Sequence, residues 1–408
     1  LIHLSPKQKV ILVVTVASLG YFVDAYDLIL FVVVRKASLL ALGVSTENLT
    51  STGLNLFNFQ MAGTFLGGIF FGIMGDKRGR LSVLFGSILV YSIANLLNAG
   101  VWQLWQYFVL RFIAGFGLAG ELGAGITLVS EIMPKEKRGY GTAIVAASGA
   151  FGAFFAGVTG DLTHWRISYA IGGTMGLLLL LLRMGTFESK LFQKNKTSEF
   201  KKGDFLGIFM EKGKAKKYLA TMFISLPVFF TITILMQLAP EVAYSLGLKD
   251  QVSAGKAVTF VYLGLTIGDL SSGLLSQFLK NRLIAIRIFL FLSILMTLIH
   301  LNAKNISLEV LYLEYVLLGW SAGFWVSLIT LAAEQFGTNI RATVATTIPN
   351  FARGAAIPIS LFYQFLLGIN NNQILASAQI TGVICFILAI LSSFLIKDTF
   401  KKNLDFQE

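Results

Sequence analysis

Charge is scarce in this chain. Only 13% of its 408 residues are Asp, Glu, Lys or Arg, against roughly a quarter in an ordinary soluble protein. A single cysteine, Cys385, excludes an internal disulfide. The three histidines, His3, His164 and His300, are scattered, and no cluster has metal-ligand spacing. There is no phosphate-binding glycine loop and no nucleophile motif, so neither an enzyme nor an ATP-driven pump is expected. No metal and no cofactor are called for. No cleavable leader is evident, because the first apolar run is long, carries acids and lacks a small-residue cleavage site.

What remains is apolar sequence, 55% of the chain, with 40 glycines and 35 phenylalanines. Runs of about 20 apolar residues are long enough to cross a bilayer. Twelve such spans are expected, near 10–34, 52–74, 81–101, 104–132, 140–161, 166–187, 218–246, 254–279, 283–301, 308–334, 342–368 and 373–396. The expected organisation is a six-helix bundle over 1–187, a basic linker over 188–217 and a second six-helix bundle with a short tail over 218–408. Lys and Arg divide 23 to 6 between the two sets of loops if the N-terminus is cytoplasmic. This bias predicts that both termini and the linker are cytoplasmic. It also accounts for most of the net charge of +12, so no nucleic-acid partner is implied; a folded basic domain would be needed for that.

The segment Ile126-Thr-Leu-Val-Ser-Glu131 has Arg138 seven residues beyond its glutamate. A second copy, Ile329-Thr-Leu-Ala-Ala-Glu334, lies 203 residues later, with Arg341 again seven residues on and Gly323 matching Gly120. A repeat of half the chain inside membrane-length segments implies two homologous halves. Such a layout suits a secondary transporter with its site between the halves.

The loop after the second span is Gly72-Ile-Met-Gly-Asp76-Lys-Arg-Gly79-Arg80. It resembles the signature of the major facilitator superfamily, an all-α membrane fold of two pseudo-symmetric six-helix bundles. The resemblance implies a cytoplasmic latch of Gly72, Asp76, Gly79, Arg80, Glu131 and Arg138, with Glu334 and Arg341 as its counterpart. The corresponding loop after the eighth span, Gly273-Leu-Leu-Ser-Gln277-Phe-Leu-Lys280-Asn-Arg282, has no acid, so the second latch is expected to be the weaker. Phe22-Val-Asp24-Ala-Tyr26-Asp27 and Arg111-Phe-Ile-Ala-Gly115-Phe-Gly117-Leu-Ala-Gly120-Glu121-Leu-Gly123 are similar to helix-one and helix-four patterns of the metabolite:proton symporter branch. Phosphate and sugar symporters share parts of them. Asp24 stands where that branch usually has glutamate, and Ala119 where it has its first glycine.

Charges inside spans are costly and mark function or pairing. Asp24 and Asp27 share one helical face and are both candidates for proton coupling. Asp27 lies about 25 Å along its span, a depth comparable with that of Arg111, which is about 10–13 Å from the outer surface. The two are placed to pair, and the branch resemblance implies that such a pair couples proton uptake to transport. Glu121 has a proton or substrate role as one alternative and a bond to a neighbouring helix as the other. Arg353, between Pro349 and Pro358, is the candidate for a substrate anion, because its fork matches a carboxylate or phosphate; the alternative is pairing with Asp269 or Glu314, which are themselves candidates for the cavity, with local pairing as their alternative. Asn55, Asn58 and Gln60 of span two and Gln237 of span seven are candidate neutral donors. Trp320 and Trp325 are candidate walls.

The expected function is a proton-coupled symporter importing a small organic anion, such as a carboxylate metabolite, by alternating access. Its expected partners are that solute, protons and the lipid bilayer. A monomer is expected in the plasma membrane, which is the inner membrane if the cell is bacterial. The rivals are a proton-driven exporter of a drug or siderophore and a non-transporting solute sensor. Span five holds glycines but no proline, unlike the glycine–proline signature of drug antiporters, and intact latch residues disfavour the sensor.

Overall fold

The computed structural model describes residues 6–133, 138–183, 209–210, 212–248, 251–336 and 341–400. Among them all regular structure is helical. In lipid this is one of two ways to satisfy every backbone N–H and C=O within the protein. The first half holds α1 (Pro6–Ala41), α2 (Leu49–Arg78), α3 (Arg80–Ala99), α4 (Leu104–Leu118), α5 (Glu121–Ile132), α6 (Arg138–Leu162) and α7 (Trp165–Arg183). The second half begins with α8 (Lys212–Ile224), α9 (Leu226–Phe230), a π-helical turn (Thr231–Met236) and α10 (Ala239–Ser245). It continues with α11 (Ala254–Leu279), α12 (Arg282–Asn302), α13 (Leu308–Ala322), α14 (Trp325–Gln335), α15 (Arg341–Gly354), α16 (Ala356–Ile369) and α17 (Ile374–Ser393). These helices fall into the twelve expected tracts, with spans four, seven, ten and eleven interrupted. Among the described residues ten helical spans, three of them running through a break, are long and apolar enough to cross a membrane. Most of the expected linker lies outside the described residues.

The interruptions of spans four and ten coincide with the repeat. α4 gives way to α5 at Ala119–Gly120, and α13 to α14 at Gly323–Phe324, so the matching glycines sit at matching breaks. At Gly323 a side chain would run into the backbone of Gly268 and Asp269, because spans eight and ten touch backbone to backbone. Only glycine permits that approach. Each break also frees backbone groups that must be satisfied elsewhere. Asn350 of α15 donates to the Ala119 carbonyl at 2.8 Å, and Asp269 accepts from the Val326 N–H at 3.0 Å.

Within the first half, span one packs on five, two on four and three on six; in the second, eight packs on ten. Two seams join the halves, span five against eight and span two against eleven. Phe65 and Phe351 meet across the second seam with ring centroids 4.1 Å apart.

Candidate functional site

A cavity lies between the halves. Its walls include Tyr21 and Ala25 of α1 and, from the second half, Phe229, Tyr262, Asp269, Trp325 and Arg353. Arg353 stands in the last turn of α15, just before the helix yields to α16, and Pro349 lies inside α15. Its Nη2 donates to Asp24 Oδ2 at 3.1 Å. Among the described residues, neither Arg353 Nη1 nor Asp24 Oδ1 has a partner. The alternative to substrate binding for Arg353 is pairing with Asp269 or Glu314, and the structure gives it Asp24 in place of either. Asp269 faces the cavity but its carboxylate holds the N-terminus of α14, where the helix dipole favours negative charge. Glu314 is outside the cavity wall and bonds His300 Nδ1 at 2.8 Å.

Asp27 and Arg111 are neighbours, as their depths require, but the contact is not carboxylate to guanidinium. Arg111 Nη2 lies 3.4 Å from the Asp27 backbone carbonyl. Both carboxylate oxygens of Asp27 are buried without a hydrogen-bond partner among the described residues. The guanidinium is held over the rings of Phe31 and Tyr169, 5.5 Å from each centroid, which aims it past the carboxyl group. Gly172 faces that carboxyl, and any side chain there would collide with it.

Glu121 takes the bonding alternative. Its two carboxylate oxygens receive Arg183 Nη1 and Nη2 at 2.8 and 2.7 Å, and Ser87 Oγ donates at 2.9 Å. Arg183 also donates to the Leu84 carbonyl at 2.9 Å, so spans three, four and six are joined in one buried network.

Among the neutral candidates, Asn58 accepts from Ser360 Oγ at 2.6 Å and Asn55 from Gln364 at 3.4 Å, both across the seam to α16. Gln60 and Gln237 are fully buried, with their amide groups unpartnered among the described residues. Trp320 packs on Phe289, away from the cavity, which Trp325 lines instead.

Of the latch, Gly72 packs against Thr347 of α15 and Gly79, at φ 101°, makes the turn between α2 and α3; that backbone conformation favours glycine. The side chains of Asp76, Arg80, Glu131, Arg138 and Arg341 lie outside what the structure describes. Glu334 receives both Nε and Nη2 of Arg282 at 2.7 Å.

Two buried arginines are not singled out by the sequence. Arg183 was visible as a charge ending a run of leucines. Arg35 looked like a loop residue but is 3% exposed and bonds Glu241 of α10 at 2.5 Å. This pair joins the halves at the end of the bundle far from the termini. Asp161 and Ser253 also bond across the halves there.

The model of the Major Facilitator Superfamily matches residues 17–361. The chain belongs to that family and is a multi-pass membrane protein. It is similar to a sialic acid transporter, NanX, of Escherichia coli, 29% identical over 197 residues that make up 47% of each chain. It is also similar to a probable 4-methylmuconolactone transporter of Cupriavidus pinatubonensis, 23% identical over 392 residues, 92% of this chain and 87% of that one. The chain spans about half the length of the first curated relatives it matches. A solved D-xylose-proton symporter shares the fold, with a TM-score of 0.70 at 16% identity over 97% of this chain and 99% of that one.

Proposed function

We propose that the protein is a secondary active transporter that imports a small organic anion, such as a carboxylate metabolite, together with protons by alternating access. Arg353 carries this reading. It is a buried guanidinium on the cavity wall, it already holds one carboxylate, and its Nη1 has no partner among the described residues. A planar fork of this kind recognises a carboxylate better than a point charge does. Tyr21, Phe229, Tyr262 and Trp325 supply apolar wall for the rest of the solute. A relative that carries sialic acid is consistent with an organic acid as cargo.

Asp27 is the proposed proton carrier. A buried carboxyl beside a guanidinium favours its charged form, and one parted from it favours the neutral form. Arg111 stands close enough for a small helix movement to make or break that contact. The bundles 1–187 and 218–408 are the two rocking bodies, and 188–217 is the linker between them. The Lys and Arg bias puts both termini in the cytoplasm, so the Arg35–Glu241 pair closes the outer end, and the latch residues act at the inner end. The carrier works as a monomer in the plasma membrane.

The test is uptake by proteoliposomes of a panel of radiolabelled carboxylates and phosphate, with and without an imposed proton gradient. Accumulation of a carboxylate above its external level, lost when the gradient is collapsed, is the expected result. Gradient-independent equilibration would contradict coupling, and uptake of no anion would contradict the substrate class.

A further inference from the structure

The loop between spans eight and nine has Gln277 where the first half has Asp76, yet the structure brings an acid to it from elsewhere. Asp398, five residues past the end of α17, accepts through Oδ1 from the N–H groups of Arg282 and Leu283 at 2.8 and 3.1 Å. These are the first two residues of α12, whose unsatisfied N–H groups and dipole favour a carboxylate. The tail is bound on both sides of Asp398. Gln335 Nε2 donates to the Lys397 carbonyl at 2.5 Å, and Thr399 Oγ1 donates to Glu334 Oε2 at 2.6 Å. Thr399 is 2% exposed, and the Arg282 guanidinium sits 5.7 Å from the centre of the Phe400 ring.

We propose that the tail segment Lys397–Phe400 is a working part of the second half's latch, and that Asp398 supplies the acid its loop lacks. Arg282 opens α12 as Arg80 opens α3, and Glu334 is the repeat counterpart of Glu131. Their bidentate contact, both side chains largely buried at 16% and 13% exposure, is completed by Thr399 on the carboxylate and by Asp398 on the backbone of Arg282. Asp398 and Thr399 are thus positioning residues. They fix Arg282 and Glu334, so the ends of spans eight, nine, ten and twelve move as one body. On this proposal the acid that Gln277 lacks is supplied from the tail. The inference does not depend on which solute is carried.

The test reads the latch without a solute. In full-length Cys385→Ala protein in lipid, spin labels at Lys77→Cys and Phe278→Cys, both exposed at the end where the termini lie, report the separation of the two halves there. Asp398→Ala should enlarge the long-distance population and abolish hydrogen-exchange protection of the Arg282 and Leu283 amides. Adding Gln277→Asp to that variant should return the distance distribution toward wild type, which a purely structural cap would not do. Asp398→Asn keeps an acceptor for the amides but not the charge, and is the variant to measure if Asp398→Ala does not fold; it too should enlarge the long-distance population. A wild-type distribution in Asp398→Ala, or in Asp398→Asn where only that variant folds, would overturn the proposal. So would an enlarged population in Asp398→Ala that Gln277→Asp leaves unchanged.

Discussion

Asp24 and Arg353, 329 positions apart in sequence, meet at 3.1 Å in the middle of the molecule, 0% and 4% exposed. One belongs to each half, so the halves cannot part at the cavity without breaking the pair or passing Arg353 to another anion. Removing one member of a buried pair costs about 3–5 kcal/mol, because the other charge is left uncompensated. A solute carboxylate that replaces Asp24 avoids that penalty.

Arg353→Lys should therefore weaken binding of a transported carboxylate by about tenfold, near 1.4 kcal/mol, because charge is kept and the fork is lost. Arg353→Gln should do worse. The double substitution Asp24→Asn with Arg353→Gln should recover the melting temperature but not the affinity. Recovery of affinity in the double variant, measured by equilibrium binding, would show that Arg353 serves only Asp24.

The Glu121–Arg183 network is expected to carry stability and not coupling. Glu121→Ala leaves Arg183 buried without its carboxylate and should cost about 3–5 kcal/mol, seen as a lowered melting temperature of the purified protein. Proton-driven uptake per folded molecule should stay near wild type. Unchanged melting with lost coupling would reverse the assignment.

Glu241→Gln should loosen the far end of the bundle by depriving Arg35 of its anion. Ser38 is fully buried, three residues from Arg35. In a Cys385→Ala background, Ser38→Cys should react severalfold faster with an impermeant maleimide when Glu241→Gln is added. An unchanged rate would mean the pair does not hold that end closed.

The architecture was legible because membrane-length apolar runs and a 203-residue repeat are patterns within the chain, and the repeat even marked the breaks at Gly120 and Gly323. The important charges were legible too, since Asp24, Asp27, Arg111, Glu121 and Arg353 stand out against apolar neighbours. Their partners were not. Depth along a span locates a charge vertically, but which helix face meets which depends on packing across the seam. Arg353 thus reached Asp24 in the other half, and Glu121 reached Arg183. Asp398 was hidden for another reason: it follows the last span, where the sequence shows only an ordinary polar tail.

The most direct measurement is solute accumulation by purified Asp27→Asn protein in proteoliposomes under an imposed proton gradient, beside exchange of internal for external solute. Asparagine mimics the protonated carboxyl in shape but releases no proton. Uphill accumulation should vanish, while exchange, which needs no net proton movement, persists at a reduced rate. Accumulation by Asp27→Asn equal to wild type would contradict proton coupling through Asp27.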